Sequence, residues 1–379
     1  MSAYVALATR TVEFHQDRVF DPDAVRSLRP SLQPMALPWL HVHTGARQRG
    51  LRLLTADRVA AEGIDPRRVL LVAYDWTPEA AALLERGARP AALLSFEPPV
   101  IAWSLYVQLP RLSARFPHVF LFEGARARVA PSARFHPLRF PLGCPPPQLP
   151  RVPWGERRFL AMVNSNKALA HPLSLGRWFD RPREVSLKRA LATLAYPPIG
   201  DDRYRERLRA IAAFAQASDF DLYGEGWQHR HPAIGPRLHA LAQRAYRGPI
   251  QDKLGVLSGY RFALVIENTR FPGYISEKLF DCLFAGCVPI YDGAPDVARV
   301  VPSEAFVDRR QFADYVDLER YLRGMSERDA RRYLDAGRAF LCTAAFERFC
   351  AQSFAHELVD VITQVGQQSG NAGRVAALG

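Results

Sequence analysis

The sequence predicts an α/β protein made of two units with parallel sheets. Three observations carry this. Short apolar runs recur along the chain, as fully buried strands do. Stretches of helical period alternate with them, which is the βαβ layout. A proline-rich stretch from Pro137 to Pro153, with Pro145, Pro146 and Pro147 in succession, interrupts the alternation and cannot enter a sheet centre.

The elements follow in order. In the first half, strands are predicted at Leu51–Ala56, Val69–Tyr74, Ala91–Phe96 and His118–Phe122. The helix Thr77–Arg86 between the second and third turns Ala80, Leu83 and Leu84 inward. In the second half, strands are predicted at Phe159–Val163, Phe220–Tyr223, Arg261–Ile266 and Val288–Tyr291. Helices are predicted at Asp202–Ala217, with Leu208, Ile211 and Phe214 on one face, and at Glu277–Ala285. From Glu304 to Ile362 the pattern is mostly amphipathic helix, with Ser326 as an N-cap three residues before Asp329. The expected division is a first domain over 1–145, a linker over 146–155, a second domain over 156–362 whose last helices are free to cross back to the first, and a flexible tail over 363–379. Two such domains form a cleft, and open parallel sheets bind ligands beyond the carboxyl ends of their strands.

Composition narrows the class. The 379 residues suit two or three domains. With 48% hydrophobic and 23% charged residues, global disorder, collagen repeats and a coiled-coil rod are excluded. No apolar run approaches the roughly 18 residues that span a bilayer. Arg10, Glu13, His15 and Asp17 interrupt the N-terminal segment, which is unlike a secretory signal, so a cytosolic location is expected. Five cysteines without a CxxC pair read as reduced, mostly buried thiols with no structural zinc. The net charge of +12 points to an anionic partner. Only Lys167, Lys188, Lys253 and Lys278 are lysines, however, and the arginines are scattered, so most of the charge reads as solvated surface.

Several chemistries lack their motifs. GxxxxGK[ST], GxGxxG after a strand, HExxH and GxSxG are all missing. Asp219-Phe220-Asp221 has the spacing of a paired-aspartate metal site, but as a strand edge it is commonplace. His229 and His231 lack the cysteine or carboxylate company of a metal site. A nucleic-acid binder would show a recognisable motif or a basic stripe, and there is neither.

The segment Tyr260 to Val297 carries the chemistry: strand, sharp loop, helix, strand. Glu267 and Asn268 end the first strand. Pro272 and Gly273 turn the loop. Ser276 caps the helix, Glu277 and Lys278 fall in its first turn, and Gly286 stops it. A helix N-terminus favours a bound phosphate, and a first-turn lysine is unfavourable there unless an anion offsets it. Physics alone leaves an ordinary βαβ unit with a surface lysine equally open.

The order Tyr260-Arg261-Phe262, Glu267-Asn268-Thr269, Gly273-Tyr274-Ile275-Ser276-Glu277-Lys278, Ala285-Gly286-Cys287-Val288-Pro289-Ile290 and Gly293 resembles the donor-binding motif of the α-1,3/1,4-fucosyltransferases, glycosyltransferase family 10, bacterial type. Fainter echoes are Met162-Val163-Asn164-Ser165-Asn166, Arg205–Arg209 followed by Phe220–Gly224, and Ser95-Phe96-Glu97-Pro98. The resemblance covers about residues 69 to 350 and is strongest in the second half.

It implies a GT-B fold of two Rossmann-like domains, acceptor side first and GDP-sugar side second, and inverting transfer of L-fucose from GDP-fucose to an acceptor hydroxyl. By the resemblance, Glu97 is the general base; it ends a strand, and Pro98 biases it to an extended conformation. Burial beside Phe96 and Trp103 would raise its pKa toward the working range. A structural cap on the Pro98-Pro99 turn is the plainer alternative. Lys278 and Arg205 hold the diphosphate, with Arg207 and Arg203 as alternatives to Arg205. Glu277 accepts from ribose hydroxyls. Asn268, Tyr274, Ser165 and Asn166 line the donor pocket. Glu267 either stabilises positive charge on the sugar or orients Lys278 or Arg205. Basic residues and a helix dipole replace a metal, so no cofactor is required and a divalent cation is at most stimulatory.

The match fails at Ile266, at Asp292, at Pro98-Pro99 after Glu97, and at Lys167. Asp292 stands where an apolar or aromatic residue is usual. A related GDP-sugar therefore stays open as donor, and so does a non-catalytic glycan- or nucleotide-binding relative. The expected acceptor is an oligosaccharide or lipid-linked glycan, such as a lipopolysaccharide precursor carrying N-acetylglucosamine. The expected place is the bacterial cytoplasm, with peripheral contact at the anionic inner face of the plasma membrane and no nucleic-acid partner.

Overall fold

The computed structural model describes residues 4–29, 32–145, 152–166, 183–229 and 234–376, of which 183–187, 189 and 369–376 are described as backbone only. Lys167, His231, most of the linker and the last three residues lie outside that set. The chain divides into unit 1, Met1–Cys144 with Arg348–Gly379, and unit 2, Pro145–Glu347.

Unit 1 holds β1 (Tyr4–Thr9), β2 (Arg52–Thr55), β3 (Val69–Tyr74), β4 (Arg89–Leu94), β5 (His118–Leu121) and β6 (Arg134–Pro137). They form one parallel sheet in the order β2-β1-β3-β4-β5-β6. Four of these strands fall on predicted runs. The N-terminal strand β1 and the edge strand β6 are additions: β1 pairs on both sides, so residues 5–9 are buried despite the charged residues that follow.

The C-terminal helix Ala351–Ala376 belongs to this unit. It turns Phe354, Leu358 and Ile362 into the core at helical spacing. Phe354 meets Phe96 edge-on at 5.2 Å, and Phe96 stacks on Trp39 at 6.1 Å. Gly45 of the helix Gln33–Gln48 makes room for Val359, and Arg49 pairs with Asp360 at 2.8 Å. Unit 2 thus ends at Glu347, not 362. The helix also passes through the expected tail at 363: no proline interrupts it, and Gly366 lies against Leu70. Polar composition decides which helix face is wet, not where the helix stops.

The cysteines correct a second expectation. Cys144 and Cys350 form a disulfide, leaving Cys282 and Cys287 buried and Cys342 exposed as thiols. The bonded pair is 206 residues apart, so no spacing announces it. It forms where the chain leaves unit 1 and returns: Ala351 N–H donates to Leu142 O at 2.8 Å, and the two strands of chain run parallel. Thiol titration with a chromogenic disulfide will therefore read three thiols in unfolded, unreduced protein and one in native protein. Five in the unfolded protein would refute the bridge.

Unit 2 holds β7 (Arg158–Val163), β8 (Phe220–Tyr223), β9 (Tyr260–Ile266), β10 (Val288–Asp292) and β11 (Val307–Asp308), parallel, in the order β11-β10-β9-β7-β8. Its core joins Leu160, Met162, Phe214, Phe220, Phe262, Ile266 and Ile290. Helices Tyr204–Phe214 and Glu277–Ala285 match their predicted spans to within a few residues. Ser326 caps the helix Glu327–Leu341 by accepting from Asp329 N–H at 3.1 Å. Among the described residues no helix is long and apolar enough to cross a membrane.

Candidate functional site

The site of unit 2 grows from the carboxyl ends of β9 and β10. Glu267 follows β9 directly, and its N–H donates to Asp292 O at 2.9 Å, which fixes the two strand ends together. The Glu267 side chain is fully buried. It accepts from Ser276 N–H at 2.8 Å, from Ser276 Oγ at 2.7 Å and from Lys278 Nζ at 3.1 Å. Lys278 Nζ donates also to Ser276 Oγ at 2.9 Å. Ser276 is the N-cap of the helix Glu277–Ala285, and Gly286 ends that helix in the left-handed region at φ 64°, where a side chain would be strained.

Lys278 is thus no loose surface lysine: its side chain is 15% exposed and held by a buried carboxylate. In this structure the Glu267 carboxylate anchors Lys278: its oxygens are taken by Ser276 and Lys278, and it has no exposed surface.

Glu277 is more open, one-third exposed, with Lys278 at 3.6 Å and Lys253 at 3.8 Å. Burial pushes its carboxyl up, but the two ammonium groups outweigh burial and bring it down to about 2. Its folded value lies below the unfolded one, so its stabilisation is complete above the ordinary 4.5 and is lost as pH falls toward about 2. The thermal-midpoint gap between wild type and Glu277→Gln will hold steady above about pH 5 and close below it. A gap that widens on acidification would contradict this.

The helix Tyr204–Phe214 supplies the arginines. Arg203, at its N-cap, and Arg207 lie four residues apart and share one face. Arg207 is buried and donates to Ile266 O at 2.8 Å and Asn268 Oδ1 at 2.9 Å. Arg203 donates to Asp292 Oδ2 at 2.7 Å and stays 17% exposed. Arg205 points the other way and is exposed on the outer face, so the structure does not bring it to the site. A two-residue step turns the side chain about 200° around the helix. Arg203 is the arginine placed to meet an anion, and Arg207 braces the strand end.

Asn268 Nδ2 donates to Tyr274 Oη at 3.1 Å, and both side chains are buried. They stiffen the wall of the site instead of presenting open surface. Ser165 and Asn166 follow β7, half-buried, with Asn166 N–H donating to Glu225 O at 2.8 Å. Gly224 is required there: a Cβ would lie 2.2 Å from Asn164 O. Sequence reasoning passed over Arg270 as a site residue and noted Asp292 only as a mismatch. Arg270 Nε donates to Asp292 Oδ1 at 2.7 Å. Asp219 is paired with Arg323, and Asp221 with Arg158, Arg247 and Tyr260. Among the described residues no three metal-ligating side chains cluster.

In unit 1, Glu97 stands just past β4, half-buried. Its N–H donates to Ser95 Oγ at 3.1 Å, and Tyr106 Oη donates to its carbonyl at 3.2 Å. Phe96 turns into the aromatic core. Nearby, Asp75 takes a left-handed φ of 66° and pairs with Arg10 at 3.0 Å. Burial first, then the charges of Asp75 and Glu97, push the Tyr74 hydroxyl well up, while Arg10 opposes them.

Two units in one chain, each built on a parallel sheet and one with an anion-ready helix N-terminus at its carboxyl edge, are the α/β architecture of the GT-B fold class. Residues 193–341 match the model of glycosyltransferase family 10 (fucosyltransferase), C-terminal part. The chain is 31% identical over 148 residues to the bovine GDP-fucose protein O-fucosyltransferase 3, covering 39% of this chain and 30% of that one. It is 38% identical over 76 residues to the Helicobacter pylori alpha-(1,3)-fucosyltransferase FucT, covering 19% and 16%. The matched stretches span less than a third of these relatives' lengths. In fold it is similar to a solved glycosyltransferase from Rickettsia africae, with a TM-score of 0.52, 8% identity and coverage of 96% and 98%.

Proposed function

We propose that the chain is an inverting fucosyltransferase that moves L-fucose from GDP-fucose to a hydroxyl of an acceptor glycan. The observation that carries this is the Glu267–Ser276–Lys278 network at the helix N-terminus, inside the segment that matches the family. Lys278 and Arg203 hold the diphosphate, and the first-turn N–H groups add their dipole. Glu277 stays ionised and accepts from the ribose hydroxyls. Glu97 takes the proton of the acceptor hydroxyl. The oxygen then forms its bond to the anomeric carbon as the bond from that carbon to the diphosphate breaks, and GDP leaves with the electron pair. Lysine and arginine do the charge work that a metal does elsewhere, so chelator-treated protein keeps its turnover.

The acceptor we favour is an N-acetylglucosamine-type residue of a lipid-linked, bacterial surface-glycan precursor, reached at an anionic membrane face with help from the +12 charge. The Cys144–Cys350 bridge counts against a reducing compartment, where such bridges are rare. The test is GDP release from GDP-fucose, with GDP-mannose and UDP-galactose as controls, alone and with a panel of soluble and lipid-linked acceptors. Release from GDP-fucose alone among the donors, accelerated by one acceptor class, supports the reading. GDP binding without release from GDP-fucose under any acceptor would shift it to another GDP-sugar.

A further inference from the structure

We propose that Asp292 is a positioning residue that holds Arg203 and Arg270 as a paired guanidinium clamp on the second phosphate of the donor diphosphate. This rests on the GDP-sugar reading above and goes beyond it in naming which side chains distinguish a diphosphate from a monophosphate.

Asp292 ends β10 and is 1% exposed. Each of its carboxylate oxygens serves one cation: Oδ2 accepts from Arg203 at 2.7 Å, Oδ1 from Arg270 at 2.7 Å. Burial pushes the carboxyl up, and the two guanidinium groups outweigh it and keep the group ionised. Arg203 also lies 3.6 Å from Glu206, which Arg209 and Arg309 share, so four guanidinium groups surround two carboxylates and the cluster keeps a net positive charge. The two arginines retain open surface, 17% and 36% of their side chains, while the carboxylate has none. An anion therefore meets the guanidinium edges and not Asp292.

Two further observations point to a ligand. Arg203 Nε is buried without a hydrogen-bond acceptor, and Thr269 Oγ, in the residue next to Arg270, is buried without a partner. Unmatched donors of this kind are costly in a finished core and expected where an anionic group completes the site. The clamp is also tied to the other cation. The Glu267 N–H bond to Asp292 O fixes the strand end that carries Asp292 beside the one that anchors Lys278. Two cationic posts braced by carboxylates at neighbouring strand ends suit two linked phosphates. A buried carboxylate is expensive where an apolar residue would pack, and fixing two arginines is a function that repays that cost.

The experiment is calorimetric titration of GDP and of GMP into the full chain, for wild type, Asp292→Asn and Arg270→Gln. Wild type is expected to prefer GDP. Asp292→Asn should weaken GDP about tenfold or more while leaving GMP within about threefold, and Arg270→Gln should shift the same ratio in the same direction by less. A general loss of structure would weaken both nucleotides together. If Asp292→Asn fails to fold, Arg270→Gln at its half-exposed position decides alone. Wild-type GDP preference kept in every folded variant overturns the clamp and leaves the donor reading standing. Wild type binding neither nucleotide overturns the donor reading, and the clamp with it.

Discussion

Lys278→Met will lower turnover of GDP-fucose about 10²–10³-fold and will also lower stability, because the ammonium has two duties. It faces the site where the diphosphate's charge grows, and it neutralises Glu267, which has no exposed surface. Removing the ammonium leaves that carboxylate its hydrogen bonds from Ser276 and only the more distant charge of buried Arg207, at a cost of up to about 3–5 kcal/mol. The two duties separate in a double variant. Glu267→Gln keeps an oxygen that accepts from Ser276 N–H and needs no counter-charge. Combined with Lys278→Met it should restore most of the thermal midpoint and none of the turnover. Activity that returns with stability would mean that Lys278 acts only as a strut.

That separation bears on what the sequence made legible. The segment from Tyr260 to Gly293 was readable because a buried strand, an N-cap, a glycine stop and a second buried strand each leave a local signature. The strand β1 was less readable: its apolar run is short, and its burial comes from partners some 50 and 65 residues away. The arginines failed differently. The family resemblance favours Arg205, but helical phase decides, and phase depends on where the helix starts. Once Arg203 sits at the N-cap, Arg207 joins it on the inner face and Arg205 cannot. The disulfide and the return of the C-terminal helix to unit 1 are long-range facts with no local trace. Glu267 shows the limit most plainly. Its position was readable, yet its partners decide between facing a sugar and anchoring a lysine, and partners come from the fold.

Glu97→Gln will lower kcat about 10²–10⁴-fold, the range for loss of a general base, and leave GDP affinity unchanged, because every residue assigned to the nucleotide lies in unit 2. Its fold should be kept. The backbone at Glu97 is pinned by Ser95 and Tyr106 through main-chain atoms that the substitution keeps. The charges of Asp75 and Glu97 both push the Tyr74 hydroxyl up, so the carboxylate of Glu97 lies near that buried ring. A general base acts on the reacting hydroxyl, so its loss falls on turnover, whereas loss of a structural cap falls on stability. A thermal midpoint close to that of wild type, with turnover abolished and GDP binding intact, is the expected result. A lowered midpoint with turnover retained would make Glu97 the cap of the Pro98-Pro99 turn, and the base would have to be sought elsewhere in unit 1.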